Sequence, residues 1–362
     1  MTVAELETPA LLIDLDIMEA NLARMAEYAG AHGLRLRPHT KTHKIPELGA
    51  RQMALGAAGL TVAKTTEAEV MLRSGTKDLL IAYPVLGKKK LDRLMKVAGE
   101  TRTTVALDSE YAARELSEAA QKAGREIAVL VEFDAGLGRV GVKPEEVVGL
   151  ATAVNSLPSL KFDGITFYPG HIKQWDSAGE TAFQELGKLL KKVCGELRAA
   201  GLGPRIVSGG STPTWFRSHE LPELNEIRPG TYIFNDRNTM KSGACTLDQC
   251  AATMLVTVVS TAVEGQVIID GGSKTFSSDL CVGGGVGHGC IPEAPGSVFR
   301  RMNEEHGYVD ITGTETKFEI GQRVRVIPNH ICVAVNLHEH VFGIRGDQVE
   351  KCWRVEGRGK LQ

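Results

Sequence analysis

Apolar and polar positions follow two different rhythms along this chain. Through its first two thirds, short β-rich apolar runs alternate with stretches whose apolar residues recur every three or four positions. The runs fall near 34–38, 59–63, 78–82, 103–107, 127–133, 162–168, 205–208 and 227–234. The helical stretches fall near 44–56, 65–74, 87–99, 109–123, 143–156 and 178–201, with a poorly defined one near 213–219. Alternating βα units in series predict a parallel sheet. Eight of them in roughly 200–250 residues predict a closed (β/α)8 TIM-type barrel, with a doubly wound open sheet as the alternative. Ahead of this series, 8–16 reads as a strand closed by acidic turn residues. Asp16 there caps a helix over about 17–32 with Met18, Leu22, Met25 and Ala29 on one face. After about Gly243 the pattern changes to strand-like runs at 252–263, 266–270, 322–327, 333–337, 341–345 and 349–355, with no strong amphipathic helix. The expectation is an α/β chain with a barrel over 15–243 and a β-strand domain over 244–362 joined by residues 1–14. Residues 271–298, glycine-rich with prolines, read as a long irregular segment, and loops of that length are often functional.

Composition narrows the possible partners. The 362 residues are 43% hydrophobic and 24% charged, enough for a large core, and the net charge is −2. That balance gives no electrostatic case for nucleic acid or an anionic membrane, so a small molecule is the expected partner. No apolar run reaches the roughly 18 residues of a membrane span. The first residues are polar and acidic, with neither a basic region nor an apolar signal core, which predicts a cytoplasmic protein. Seven cysteines, scattered from Cys194 to Cys352 without zinc-finger spacing, do not suggest a disulfide framework.

Catalytic groups of such barrels lie at the C-terminal ends of strands. The first strand ends in Arg37-Pro38-His39-Thr40-Lys41-Thr42-His43-Lys44, and the fifth in Glu132-Phe133-Asp134 followed by Gly136, Gly138, Arg139 and Gly141. The sixth ends in Tyr168-Pro169-Gly170-His171, the seventh in Ser208-Gly209-Gly210-Ser211-Thr212, and the eighth runs through Arg228-Pro229-Gly230-Thr231-Tyr232. The Ser-Gly-Gly-Ser-Thr turn offers unobstructed N–H groups and hydroxyls where barrels commonly bind phosphate, although many such turns are only turns. Lys41, desolvated in a barrel mouth, would have a lowered pKa and could form a Schiff base, whereas Lys44 reads as a solvated surface charge. An amine and a phosphate site in one mouth suggest pyridoxal phosphate (PLP). His330 and Cys332, two apart on what reads as an extended segment, share a face and would suit a borderline-soft divalent metal such as zinc; the competing reading is a packed histidine beside a buried thiol. His338 and His340 form a lesser alternating pair.

Several of these motifs, in order along nearly the whole chain, resemble the D-threonine aldolase and D-serine dehydratase family. They are Thr8-Pro9 with Leu12-Ile13-Asp14-Leu15-Asp16, the Arg37–Lys44 stretch, Gly138-Arg139-Val140-Gly141-Val142, Ser208-Gly209-Gly210-Ser211-Thr212, Pro229-Gly230-Thr231-Tyr232, Glu305-His306-Gly307 and Pro328-Asn329-His330-Ile331-Cys332. The resemblance implies an alanine racemase-like, fold-type III architecture and a homodimer. It implies that Lys41 holds PLP, with His39 beside it, that Arg139 bonds the phenolic oxygen and that Tyr168 flanks the ring. Ser208, Gly209, Gly210, Ser211 and Thr212, with Gly230, Thr231 and Tyr232, would bind the phosphate, and His330 and Cys332 a divalent metal, Zn2+ or Mn2+. The substrate would be a D-3-hydroxy amino acid. Retro-aldol cleavage of D-threonine would give glycine and acetaldehyde. The alternative is a zinc-dependent D-serine dehydratase giving pyruvate and ammonia, in which Lys41 takes the α-proton. The His-x-Cys pair and Thr212-Pro213-Thr214 look dehydratase-like, but relatives grouped as aldolases carry His-x-Cys too. Candidate bases are His171, His39, His43 or a metal-bound water. A metal-free racemase would leave His330 and Cys332 unexplained, and a non-catalytic PLP-binding protein would leave the β-domain so.

Overall fold

The computed structural model, which describes residues 1–362, has two units, and residues 15–24 and 231–243, expected in the barrel, fall in the unit that carries the β-strands of the second rhythm. One unit is Met25–Gly230 with Gly359–Gln362, the other Met1–Arg24 with Thr231–Arg358. The chain opens with β1 (Ala10–Asp14) and α1 (Leu15–Ala31).

The larger unit holds eight parallel strands: β2 (Arg35–Leu36), β3 (Leu60–Val62), β4 (Asp78–Ile81), β5 (Arg102–Leu107), β6 (Ile127–Glu132), β7 (Leu160–Thr166), β8 (Ile206–Gly209) and β9 (Glu226–Ile227). Their order is β2-β9-β8-β7-β6-β5-β4-β3. The ends meet where His39 bridges Thr61 and the Thr61 N–H donates to the Pro38 carbonyl at 2.8 Å, closing the barrel. Strands buried on both faces read as continuous apolar runs, and every residue of β6 is buried. The crossovers are α2 (Pro46–Ala54), α3 (Thr65–Met71), α4 (Lys88–Glu100), α5 (Glu110–Ala123), α6 (Val147–Ser156) and α7 (Ser177–Ala199). Helix α5 shows why such stretches fold locally. The Ser109 hydroxyl accepts the Ala112 N–H, Ala112, Ala113, Leu116 and Ala120 face the core, and Gly124 ends the helix at φ 60°.

The expected strand at 227–234 is shorter. Pro229 brings no amide to a ladder, and the Phe234 and Asn235 N–H groups bond back to the Thr231 carbonyl, so the chain turns into a 3₁₀ helix over Thr231–Ile233.

The other unit contains α8 (Arg237–Lys241), β10 (Ala252–Ser260), β11 (Gln266–Ile269), α9 (Ser273–Phe276), β12 (Gly289–Cys290), β13 (Val298–Met302), β14 (Gly307–Asp310), β15 (Arg323–Pro328), α10 (Ile331–Leu337), β16 (His340–Arg345) and β17 (Gln348–Arg354). Its sheet runs β13-β14-β11-β10-β1-β16-β17, with β15 on β10 and β12 on β15. Strand β1 is antiparallel to β10 and parallel to β16. Leu12, Leu255 and Ile344 pack there with Val3, Leu6 and Ala10. The segment expected to be irregular thus contributes a strand, and 333–337 is helical rather than extended. No helix is long and apolar enough to cross a membrane.

Candidate active site

Strand β2 runs into a 3₁₀ turn over Thr40–Thr42, and this turn sets the directions of the neighbouring side chains. His39 caps it, its Nδ1 accepting the Lys41 N–H at 3.4 Å. Lys41 is exposed, against the expectation of a desolvated amine, because it leaves the chain beyond the strand and outside the packed barrel interior. Its Nζ lies 6.0 Å from the Tyr168 ring centroid, and the Arg139 guanidinium lies 4.8 Å from the same ring. The structure therefore brings Lys41, Tyr168 and Arg139 together at the C-terminal ends of three strands. Burial, reinforced by the cations Lys41, Arg228 and Arg139, pushes the His39 imidazole well below its ordinary value and keeps it neutral.

Lys44 is no surface charge. It is buried, sits at φ 55° before α2 begins, and pairs with Glu67 at 3.2 Å. His43 is also buried, its Nδ1 accepting the Ile45 N–H at 3.1 Å and its Nε2 bonding Gln52 at 3.3 Å. With both nitrogens engaged, it is no candidate base.

His171 packs over Gly136, where an added Cβ would lie 3.1 Å from the ring, and its Nδ1 is buried without a hydrogen-bond partner. Asp134 ties the turn beneath it, accepting the N–H groups of Gly136, Leu137 and Gly138 at 2.9–3.0 Å, and so holds the segment that carries Arg139. Burial lowers the His171 pKa, with Asp134 opposing.

The glycine-serine turn after β8 divides by role. Ser208 points into the barrel, fully buried, and its hydroxyl donates to Glu226 at 2.8 Å and accepts from Arg228 at 2.6 Å, so it is not free to bind a ligand. Gly209 admits no side chain, since a Cβ would lie 2.2 Å from Phe167. Gly210 takes φ 85°, in the left-handed region. The Ser211 hydroxyl pairs with Thr214 at 3.1 Å, and Ser211 and Thr212 are both buried. Gly230 lies against His39, with its Cβ position 2.9 Å from the His39 carbonyl.

Sequence reasoning missed the ionic ring below. Arg37, almost fully buried, pairs with Asp78 at 2.8 Å and Glu226 at 3.0 Å, and Arg228 donates to the Phe167 carbonyl at 3.0 Å. Glu132 is buried beside it. Burial raises its pKa, opposed by Arg228 and Arg139. These charges fall inside apolar strand runs, and no local spacing marks them as partners.

In the other unit, His330 and Cys332 do come together, by a different local geometry from the one expected. His330 is the extended residue before α10, and Cys332 lies in its first turn. The Thr231 hydroxyl is 3.7 Å from the Cys332 sulfur, and Tyr232 is buried. His338 is engaged elsewhere, with its Nε2 on the Thr275 carbonyl at 3.1 Å, and His340 is exposed. The Cys332 thiolate, against burial and aided by Asp236, pushes the His330 imidazole up to about 11. A divalent cation can take the place of that proton between an imidazole nitrogen and a thiolate, so this donor pair fits a borderline-soft metal. Asp236, also missed in the sequence, sits 3.2 Å from His330 Nδ1. Lys41, Tyr168, Arg139 and the glycine cradle likewise fit an aldehyde cofactor with a phosphate tail.

Residues 13–238 match the alanine racemase N-terminal domain, and residues 251–344 match a family described as "Putative serine dehydratase domain". A 3-hydroxy-D-aspartate aldolase of Paracoccus denitrificans is 33% identical over 99% of this chain and 94% of its own length. The crystal structure of D-threonine aldolase from Filomicrobium marinum superposes with a TM-score of 0.92 at 32% identity, covering 100% of this chain and 98% of that one. The D-threo-3-hydroxyaspartate dehydratase from Delftia sp. HT23 superposes at 0.87 with 31% identity over 98% of both chains. Solved forms of a dehydratase of that name include a histidine-to-alanine mutant and a metal-free cysteine-to-alanine mutant, altered two positions apart. The chain belongs to the D-threonine aldolase and D-serine dehydratase family, the alanine racemase-like, PLP-dependent lyases.

Proposed function

We propose that this protein is a PLP- and divalent-metal-dependent lyase that cleaves D-3-hydroxy amino acids by a retro-aldol reaction, with D-threonine giving glycine and acetaldehyde. The observation that carries this reading is the His330–Cys332 donor pair, which a racemase or a non-catalytic carrier of the cofactor would not need. PLP when bound supplies an electron sink for the bond broken at Cα, and the metal supplies a Lewis acid for the 3-hydroxyl oxygen.

The roles of the chain's own residues follow. Lys41 holds the cofactor through its amine, Tyr168 and Arg139 flank it, and the N–H groups of Gly209, Gly210, Thr212 and Gly230 receive the phosphate, the Ser211 N–H being engaged by the Thr214 hydroxyl. His39, held neutral, is an acceptor or donor that adds no charge beside Lys41. His171, neutral and only partly buried, is the side chain available to take the hydroxyl proton, and because its Nδ1 is enclosed the accepting atom is Nε2. His330 and Cys332 hold the ion. A thiolate ligand favours zinc over manganese. The family resemblance alone carries a homodimer.

Dehydration is the second reading. Its support is the two-position spacing of the altered histidine and cysteine in the related dehydratase, which matches His330 and Cys332 here. In that reaction Lys41 takes the α-proton and the hydroxyl leaves. Incubation with PLP and Zn2+ or Mn2+ separates the readings. Acetaldehyde with glycine from D-threonine is the expected product. Pyruvate from D-serine or 2-oxobutyrate from D-threonine, with ammonia, would replace the aldolase by the dehydratase. Turnover unaffected by His330→Ala would remove the metal from either.

A further inference from the structure

We propose that Asp236 is the positioning residue of the metal centre, fixing both the ring tautomer of His330 and the backbone that joins it to Cys332. The inference rests on the metal reading above and adds to it the group that makes the two donors competent.

Asp236 is fully buried, and each of its oxygens is spoken for. Oδ1 accepts the Thr239 N–H and the Thr239 hydroxyl, both at 2.7 Å, which starts α8. Oδ2 accepts the Ile331 N–H at 3.0 Å and faces His330 Nδ1 at 3.2 Å. A carboxylate is acceptor-only, so the hydrogen on that ring nitrogen must belong to His330. Once Nδ1 carries the proton, Nε2 presents its lone pair, the state a metal requires.

The Ile331 bond serves a second purpose. Ile331 is the first residue of α10, and its amide is one of the donors a helix leaves without an internal partner. One oxygen therefore sets the His330 ring and the peptide immediately before Cys332. Because α8 anchors the other oxygen, both ligands take their orientation from a rigid point more than ninety residues away in sequence. A carboxylate behind a ligating imidazole also raises its basicity.

Asp236→Asn changes this arrangement while keeping its size. The amide oxygen can serve only one side. If it stays with the two Thr239 donors, the NH2 group turns toward His330 and Ile331. It then opposes the Ile331 N–H and makes Nδ1 an acceptor, which moves the ring proton to Nε2, the atom that must be bare. Thr239→Val is the companion variant. It weakens the same cap without touching the His330 side.

The test uses PLP-loaded protein stripped of metal by a chelator and titrated with Zn2+ against a competing chromophoric chelator. Co2+ titration supplies a ligand-field spectrum. Wild type should take up one ion, and His330→Ala should lose it. Asp236→Asn should bind about 10- to 100-fold more weakly. Its cobalt ligand-field bands should shift while the thiolate-to-cobalt charge-transfer band and the PLP absorbance persist. Thr239→Val should stay within about two-fold of wild type. Zinc affinity of Asp236→Asn equal to wild type would overturn the inference and leave the metal reading standing. Equal weakening in Asp236→Asn and Thr239→Val would overturn it by reducing Asp236 to a helix cap. If wild type itself bound no zinc or cobalt, the metal reading would fail and this inference with it.

Discussion

His43 lies two residues from Lys41, and the sequence offers it as one of several candidate bases beside the Schiff-base amine. What separates them is burial, which the octet does not encode. Lys41 is exposed at the turn, whereas His43 is enclosed with Gln52 and the Ile45 amide, so burial, against those two hydrogen bonds, takes its pKa down to about 4. Lys44 shows the same limit, since only the fold brings Glu67 to it. The pKa of His43 has a measurable sign. Between about pH 6.5 and 4 the unfolded chain binds a proton that folded His43 refuses, so its contribution is intact above 6.5 and is lost as the pH falls. The slope approaches about 1.4 kcal/mol per pH unit, and the loss saturates at about 3 kcal/mol. His43→Asn keeps an acceptor for the Ile45 amide and cannot titrate. Denaturation of both proteins from pH 8 to 4 should therefore show a wild-type-minus-variant difference that is flat above about 6.5 and opens below it. A constant difference would mean that His43 is protonated in the native state.

Elements were legible where the local pattern and the tertiary environment agree. The crossover helices carry caps and amphipathic faces of their own, and the buried parallel strands carry their apolar runs. Helix α10 is the opposite case. Ile331, Val333 and Val335 favour a strand, yet the segment is helical. Ile331, Ala334 and Val335 lie three and four apart and are all buried, and Asp236, from far along the chain, receives the first amide. Packing and a remote cap override propensity here, and neither is visible in the seven residues themselves. Val333 faces outward, 38% exposed, so it contributes propensity without much packing. In a helix, Val333→Ala should stabilise the protein by a few tenths of a kcal/mol, up to about 0.6. In a strand the same change would destabilise it. The midpoint of thermal or urea unfolding distinguishes the two signs.

At the scale of the whole molecule, the βα rhythm predicted the barrel strand by strand, and the motifs at strand ends placed Lys41, Arg139 and Tyr168 around one mouth. Strands β12 to β14 were not predicted, because they are short, glycine-bearing or charged and gain their regularity only by pairing. The ionic ring was hidden for a related reason: its members are single charges on strands far apart in sequence. Arg37 follows β2, Asp78 opens β4, Glu226 opens β9 and Ser208 lies on β8, so the ring ties together strands from around the barrel. Burial by itself disfavours the charge on Glu226, but Arg37, Ser208 and Arg228 more than compensate and hold it below its ordinary value. The Arg37 and Glu226 side chains are 2% and 0% exposed, so neither has water to fall back on. Arg37→Ala would take its nearest cation from buried Glu226, leaving it Ser208 and the partly exposed Arg35 at 3.4 Å, and would take from Asp78 its partner at 2.8 Å. The expected loss is about 3–5 kcal/mol, against the 1 kcal/mol or less of an exposed pair. Trp175 and Trp215 belong to the barrel unit and report its unfolding by fluorescence. A urea transition shifted by less than about 1 kcal/mol would show that the ring is not what holds the strands together. A shift of the expected size would show that the interior of the barrel depends on its charges as well as on its apolar core.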